Sequence, residues 1–332
     1  MIKLALDAMG GDLGYPAMVE GAVMAANEEL QVILVGNEAV LKEELNKYPN
    51  NPNLSIYHAS EMIEMEEEPV MAYKKKRDAS ITVATKLVKD GLADAVVSAG
   101  STGAQMTAAI FVLGRLKGIT RPAIVTYYPT PNGVKILLDA GSTPDCDKEN
   151  LHQFASMATV FGKHYLKMDK TSVGLLNIGS EEKKGSVLYK ETHQVLKEDK
   201  NLNFVGNIEG RDIPKGVVDI VVCDGFVGNV VLKLMEGLTE TLIGEIKNTI
   251  YSRFKYKIGG LFLKSAFKEI RSGLDYSEYG GAPLLGVKGL SIICHGSSDA
   301  KTMRQALFAV KKAVDSGFQS EMTAYFKGGT VE

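Results

Sequence analysis

Five short segments carry most of the side chains able to do chemistry: DAMGGD from Asp7 to Asp12, SAGSTG from Ser98 to Gly103, NIGSEEKKG from Asn177 to Gly185, DGFVGN from Asp224 to Asn229, and HGSS from His295 to Ser298. Each sets glycine among hydroxyl, amide or charged residues directly after an apolar, β-branched run. Glycine there lets the backbone turn tightly and approach a ligand. A helix opening next presents unpaired N–H groups at the positive end of its dipole. That combination suits a phosphate or a developing oxyanion. One corner alone would mean little, because Gly, Ser and Asp cap ordinary connections. Five of them imply a shared anion-binding cleft at the carboxyl ends of strands.

The motifs that are missing narrow the chemistry. No GxGxxG fingerprint supports a nicotinamide-binding unit, and the run from Gly179 to Gly185 has lysine before its last glycine, so it is not a Walker A loop. HExxH and GxSxG are absent. The three cysteines, Cys146, Cys223 and Cys294, are far apart with no CxxC, which argues against disulfides and zinc and for a reducing compartment. Cys294 and His295 are neighbours, and neighbours on a strand face opposite ways, so no dyad is expected. No cofactor or metal is expected either. The chemistry that remains is direct attack by a bound anion on an activated acyl group. Phosphate is substantially deprotonated at neutral pH, and a thioester releases a thiol of pKa about 8.5, so neither step needs much acid–base help. Positioning and oxyanion stabilisation are left to the protein.

The elements that must hold these corners read as α/β. Runs such as IKLAL, QVILVG, DAVVSA, AIVTYY, VKILLD, SVGLLNI, DIVVCD and GLSIICH are almost continuously apolar, as in strands buried on both faces of a mainly parallel sheet. Between them, Leu151, Phe154, Ala158, Phe161 and Tyr165 form one helical stripe, and Met303, Leu307, Val310 and Val314 another. The alternation predicts a doubly wound, mainly parallel sheet over residues 1–332, as one catalytic unit or as two subdomains flanking one cleft. The uncharged stretch Ala95 to Gly114 is membrane-span length, but its serines, threonines and glycines fit a strand–loop–helix corner better. The N-terminal MIKLALDAMGGD reads as a first strand rather than a leader, so a cytoplasmic protein is expected.

Charge supplies the remaining clues. Lysine and arginine number 38 against 40 acids, a net charge of -2, which gives no bulk field for nucleic acid. An acidic stretch, Glu61 to Glu68, and the basic run Lys74 to Arg77 read as solvated faces. Residues 251–272 hold six basic side chains against one acid, Glu269, with Phe254, Ile258, Leu261, Phe262, Phe267 and Ile270 on a broken stripe. Gly259 and Gly260 interrupt it, which predicts an amphipathic helical hairpin. Arg253, Lys257, Phe262, Lys264 and Phe267 would dock on an anionic membrane or an acidic partner, or be buried in a homodimer.

At this point the chain resembles a known family, the bacterial acyl-[acyl carrier protein]:phosphate acyltransferases of phospholipid synthesis. The likeness rests on LALDAMGGD (4–12), Pro69 to Lys76, SAGSTGA (98–104), NIGSEEKKG (177–185), DGFVGN (224–229), GGAPLLGV (280–287) and CHGSS (294–298). Two positions depart from it: Ser101 stands where the family usually has Asn, and Ala79 where it has Ser. The resemblance implies transfer of a long acyl chain from acyl carrier protein to inorganic phosphate, a fold like phosphotransacetylases and isocitrate-type dehydrogenases, a homodimer, and a product handed on at the membrane. It favours membrane or carrier docking for the hairpin.

Roles follow for the corner residues, each beside a plainer one. Lys184 is the first candidate to neutralise phosphate or the oxyanion, against a solvated loop lysine. Asn229 would donate its amide or cap a helix, and Asp224 would orient Asn229 or Lys184 or close a turn. Asp7 and Asp12 would order a loop or orient a lysine rather than touch an anion. Gly10, Gly11, Asn177 and Gly179 would let the backbone approach phosphate, and Ser101 and Thr102 would bind it or cap. His295 is a catalytic candidate against a hydrogen-bonded structural histidine. A dehydrogenase or a coenzyme A-dependent phosphotransacetylase on the same scaffold, and a non-catalytic anion or acyl binder, are the competing functions.

Overall fold

Strands whose successive side chains are all apolar need a core on each face, and the structure supplies both. The computed structural model describes residues 1–274 and 280–328, with the backbone alone over 268–274. In chain order it runs β1 (Ile2–Asp7), α1 (Gly14–Ala25), β2 (Leu30–Gly36), α2 (Glu38–Leu45), β3 (Leu54–His58), α3 (Pro69–Lys75), α4 (Ser80–Lys89), β4 (Ala95–Ser98) and α5 (Thr102–Ala108). A π-helical turn (Ala109–Leu113) extends α5. There follow β5 (Ala123–Ile124), β6 (Thr126–Thr130), β7 (Gly133–Leu138), α6 (Lys148–His164), β8 (Ser172–Asn177), α7 (Val187–Glu198), β9 (Asn203–Glu209) and β10 (Ile220–Val222). The chain ends with α8 (Gly225–Ser252), α9 (Phe254–Leu274), β11 (Ala282–Leu285), β12 (Leu290–Ile293), α10 (Ala300–Asp315) and α11 (Phe318–Phe326).

The strands form two sheets where the sequence suggests one. A seven-stranded sheet has the order β3-β2-β1-β4-β12-β11-β5, and a five-stranded sheet has the order β6-β7-β10-β8-β9. Pairing is parallel except at β11, which is antiparallel to both neighbours, and at the β6–β7 hairpin. The run AIVTYY, expected as one strand, is divided at Val125: Ala123 and Ile124 pair with β11, and the next residues pair with β7. The chain thus changes sheets inside a single apolar run. β11 went unread in the sequence because GGAPLLGV begins with glycines and carries a proline.

Alternation along each strand shows the doubly wound logic. Leu4, Leu6, Val32, Leu34, Ala95 and Val97 point into one core, and Ala5, Val35 and Val96 into another. From the second sheet, Ile136, Leu138, Ile220, Val222, Val173 and Leu175 join that same first core, while Leu137 and Val221 turn to a third. One apolar layer is therefore common to both sheets. The expected stripe on α6 lies in it, with Phe154 and Phe161 fully buried and Phe161 meeting Phe318 of α11 edge-on at 5.1 Å. Asp147 starts α6 through a capping box with Asn150.

The expected hairpin exists with different limits. Its turn falls at Arg253, between α8 and α9, and α9 runs unbroken through Gly259 and Gly260. Two glycines cost a helix only about 1 kcal/mol each, and a side chain on Gly260 would strike Ile250 of the facing arm. Gly260 thus serves close packing of the two arms, Gly259 faces open space, and neither breaks the helix. The side chains of Glu269 and Ile270 lie outside the described residues. Among the described residues no helix is long and apolar enough to cross a membrane.

Candidate active site

Segments following β4, β7, β10 and β12 border a single cleft of about 640 Å³. Gly100, Thr102 and Gly103 line it from the seven-stranded sheet, joined by His295, Gly296 and Ser298. Ala140, Gly141 and Ser142 line it from the five-stranded sheet. Asn229, Leu232, Lys233 and Glu236 of α8 close one side, and the crossing at Ile124–Tyr127 lies between the sheets. Met106, Leu232, Ala282 and Ile293 make part of the lining apolar.

The first corner builds the cleft from behind. Asp7, buried at the end of β1, accepts a hydrogen bond from Ser98 Oγ at 2.7 Å, and that oxygen accepts the Gly100 N–H at 3.0 Å. Burial pushes the Asp7 carboxyl up, opposed by bonds from Ser80, Ser98 and the Met9 and Gly10 amides. Gly10 is packed so closely that a Cβ would come within 2.7 Å of the Gly100 nitrogen. The Asp12 N–H donates to the Gly296 carbonyl at 2.8 Å, which ties the first corner to the last. Asp7, Gly10, Gly11 and Asp12 are therefore a support for the glycine turns and do not line the cleft. Ser101 caps α5, accepting the Ala104 N–H at 3.4 Å, and leaves Thr102 as the cleft residue.

A second buried carboxylate organises the opposite wall. Asp139 accepts N–H bonds from Ile124, Gly141 and Ser142 on one oxygen, and from Thr143 N–H and Ser142 Oγ on the other, all between 2.7 and 3.1 Å. Burial raises its pKa, with the Ser142, Thr143 and Gly141 bonds working against that rise. The loop it shapes grips α8: Gly225 N–H donates to the Thr143 carbonyl at 2.8 Å, and Gly141 packs on the Asn229 side chain. The sequence reading missed this loop, yet a signal was present. DAGST at 139–143 repeats the AGST of Ser98 to Thr102, at the end of a strand in the other sheet.

The third corner stands beside the cleft, not in its lining. Asn177 is spent within its own loop, donating to the Lys184 carbonyl at 3.2 Å and accepting the Ile178 N–H at 2.8 Å. Gly179 packs against the Lys184 side chain, whose Nζ is exposed 3.9 Å from Glu181. The corner is linked to α8 through Tyr189, whose hydroxyl donates to Asp224 Oδ2 at 2.6 Å. Asp224 caps α8 with its other oxygen, accepting the Val227 N–H at 2.9 Å. Both of its oxygens are thus occupied structurally.

Nucleophilic and titrating groups are constrained as well. Cys294 and His295 lie beyond the end of β12, so the opposite-face argument does not hold and both line the cleft. Burial pushes the Cys294 thiol up to about 12, which leaves no thiolate to attack at neutral pH. His295 Nδ1 accepts the Ser297 N–H at 3.2 Å and lies 2.7 Å from Ser297 Oγ. A ring nitrogen that accepts an amide proton carries none, so Nε2 holds the imidazole proton. Among the described residues, no group of three His, Cys, Asp or Glu could hold a metal ion. The hairpin residues Arg253, Lys257, Phe262 and Lys264 are exposed and Phe267 is half-buried.

Two sheets sharing a cleft define the class of fold found in phosphotransacetylases and related dehydrogenases. The EutD phosphotransacetylase from Staphylococcus aureus superposes with a TM-score of 0.59 at 15% identity, covering 94% of each chain. A 4-hydroxythreonine-4-phosphate dehydrogenase from Klebsiella pneumoniae gives 0.56 at 12% identity, covering 95% of this chain and 99% of its own. At these identities the likeness is one of fold. The chain belongs to the family described as "Fatty acid synthesis protein", whose pattern matches residues 2–321, and a phosphate acyltransferase from Desulfitobacterium hafniense (strain Y51) is 49% identical over 324 residues, 97% of this chain and 96% of that one.

Proposed function

We propose that this cleft moves a long-chain acyl group from the thioester of an acyl carrier protein to inorganic phosphate, as a step of phospholipid synthesis. The observation that carries the reading is the meeting of two AGST turns, one from each sheet, with Asn229 across a partly apolar cleft. Membership of a family of phosphate acyltransferases favours acyl transfer over the dehydrogenase alternative.

In this reading phosphate sits among the Gly100–Thr102 turn, the Gly141–Ser142 turn and the Asn229 amide. A phosphate oxygen forms a bond to the thioester carbonyl carbon, and the carbonyl electrons move to oxygen. The tetrahedral oxyanion is met by the Thr102 and Gly103 N–H groups that open α5, the Asn229 amide and His295 Nε2–H. Collapse re-forms the carbonyl and breaks the carbon–sulfur bond, leaving an acyl phosphate and a thiolate that takes its proton from water. No covalent enzyme intermediate is needed, in keeping with the raised Cys294 thiol. Met106, Leu232 and Ile293 offer the acyl chain an apolar wall. Lys184, at the adjoining corner, is a cation for the approaching anions, and Asp224 keeps the start of α8 in place.

The same reading makes the chain a homodimer with peripheral membrane contact in the cytoplasm. Phe226, Val230, Leu234, Leu238, Leu242 and Ile246 form an exposed ridge along α8 at four-residue spacing. Ridges of that spacing interlock with a like ridge at crossing angles near −50°, which suits a second copy. Phe254, Leu261 and Phe262 are exposed beside Arg253, Lys257 and Lys264 at the hairpin end, a composition suited to anionic lipid.

The test is release of free thiol from palmitoyl-carrier protein with and without phosphate, with palmitoyl-coenzyme A as a second donor. Phosphate-dependent release with the carrier protein is expected. Hydrolysis indifferent to phosphate, or stoichiometric binding with no turnover, would defeat the reading.

A further inference from the structure

We infer that Lys233, rather than Lys184 of the same chain, supplies the positive charge that holds phosphate in the cleft; this rests on the acyl-transfer reading above. Asn229, Leu232, Lys233 and Glu236 all line the cleft, and their spacing of three, four and seven places them on one helical face. Lys233 stands one turn beyond Asn229, whose amide the reading already sets on the anion. Among the described residues it is the one lysine or arginine lining the cleft.

The position of this face is tightly determined. Asp224 caps α8, Gly225 is bonded to Thr143, and Gly228 lies so close to the Asp139 carbonyl that no Cβ fits between them. The turn carrying Asn229 and Lys233 is thereby registered against the Gly141–Ser142 wall. Lys184, by contrast, is exposed in a loop outside the lining, with Glu181 at 3.9 Å.

Electrostatics shows why a cation is needed here. The lining also contains Glu236, so without Lys233 a phosphate dianion would face a carboxylate with no compensating side-chain charge. A lysine is suited to a small, freely oriented oxyanion because its ammonium acts as a point charge with three donors. Its long stem lets the head stay partly in water while phosphate is bound and release it when the acyl phosphate leaves.

The experiment measures KM for phosphate and kcat with palmitoyl-carrier protein for the wild type and for Lys233→Met, Lys233→Arg, Lys184→Met and the double change Lys233→Met with Glu236→Gln. Thermal melts establish that each is folded, as expected because Lys184 and Lys233 are exposed and Glu236 is only half-buried. Lys233→Met should raise KM for phosphate about ten- to hundredfold, the range for loss of a charge-assisted bond. Lys233→Arg should recover most of that loss, and adding Glu236→Gln to Lys233→Met should recover part of it, since repulsion is relieved. A wild-type KM for phosphate in Lys233→Met overturns the assignment whatever happens to kcat. A raised KM in Lys184→Met alone transfers the role to Lys184. Failure of the wild type to release thiol in a phosphate-dependent way is a different result, because it removes the parent reading rather than the choice of lysine.

Discussion

Asp139 has little latitude, because both of its oxygens are committed, one to three backbone N–H groups and the other to the Thr143 N–H and the Ser142 hydroxyl. Changing it to asparagine keeps the shape but turns one oxygen into a donor, which then faces the Thr143 N–H and the Ser142 hydroxyl. A buried donor left unpaired costs about 1–3 kcal/mol. Asp139→Asn should therefore lower the urea midpoint by a loss of about 2 kcal/mol. It should also depress kcat, since the same loop seats Gly225 and Asn229. Wild-type kcat in a destabilised Asp139→Asn protein would show that the loop is structural only. This residue was the least legible in the sequence, because VKILLD reads as a plain strand end and its carboxylate's function lies in backbone bonds that no motif names. Lys184 had the opposite fate: a glycine-rich motif advertised it, but a motif does not say which way a side chain points.

At the scale of elements, α8 and α9 present two surfaces that composition alone could not separate. Only Gly225 and Gly228 of α8 are buried, so the helix is held at its start and its remaining length, about 40 Å for the whole helix, presents the apolar ridge. The basic, aromatic residues sit at the far turn and on α9. If the turn meets lipid and the ridge meets a second copy, the two can be disabled separately. Phe262→Glu should weaken binding to anionic vesicles about ten- to hundredfold, the loss of one inserted phenyl ring, with unchanged mass in sedimentation. Leu234→Lys with Leu238→Lys should instead halve the sedimenting mass. A dimer broken by Phe262→Glu, with vesicle binding intact, would assign the hairpin end to the interface. The sequence showed the amphipathic segment but misplaced its turn, because glycine in a helix is a modest cost that packing between two arms can offset.

Across the whole molecule, the cleft and the Lys135–Asp219 ion pair occupy opposite ends of the five-stranded sheet. The long apolar runs made the parallel strands legible, since burial on both faces demands them. The sheet change at Val125 was not legible, because a residue that leaves one sheet for another is as apolar as its neighbours. The cleft follows the carboxyl ends of β7 and β10, whereas Asp219 fastens the amino ends of β7, β10 and β8. Its carboxylate takes Lys135 Nζ at 2.7 Å, with Ser172 N–H at 2.9 Å and Ser172 Oγ at 2.7 Å on the other oxygen. Burial pushes the Asp219 carboxyl up, but the Lys135 and Ser172 bonds outweigh it and hold the group below the ordinary aspartate value. A folded-state pKa below the unfolded one gives stability that is complete above the unfolded value, about 3.9, and disappears as pH falls through the folded value. Asp219→Asn should accordingly be less stable than wild type at pH 7, by on the order of 1–2 kcal/mol. The two proteins should converge as the pH falls from the unfolded value through the lowered folded one. Denaturant titrations across that range measure the convergence, and a gap that stays constant with pH would mean the carboxylate's charge is not what fastens the strands. Phosphate-dependent turnover at neutral pH should be retained by the variant, because the clip lies a full strand length from the turns proposed to hold the anion.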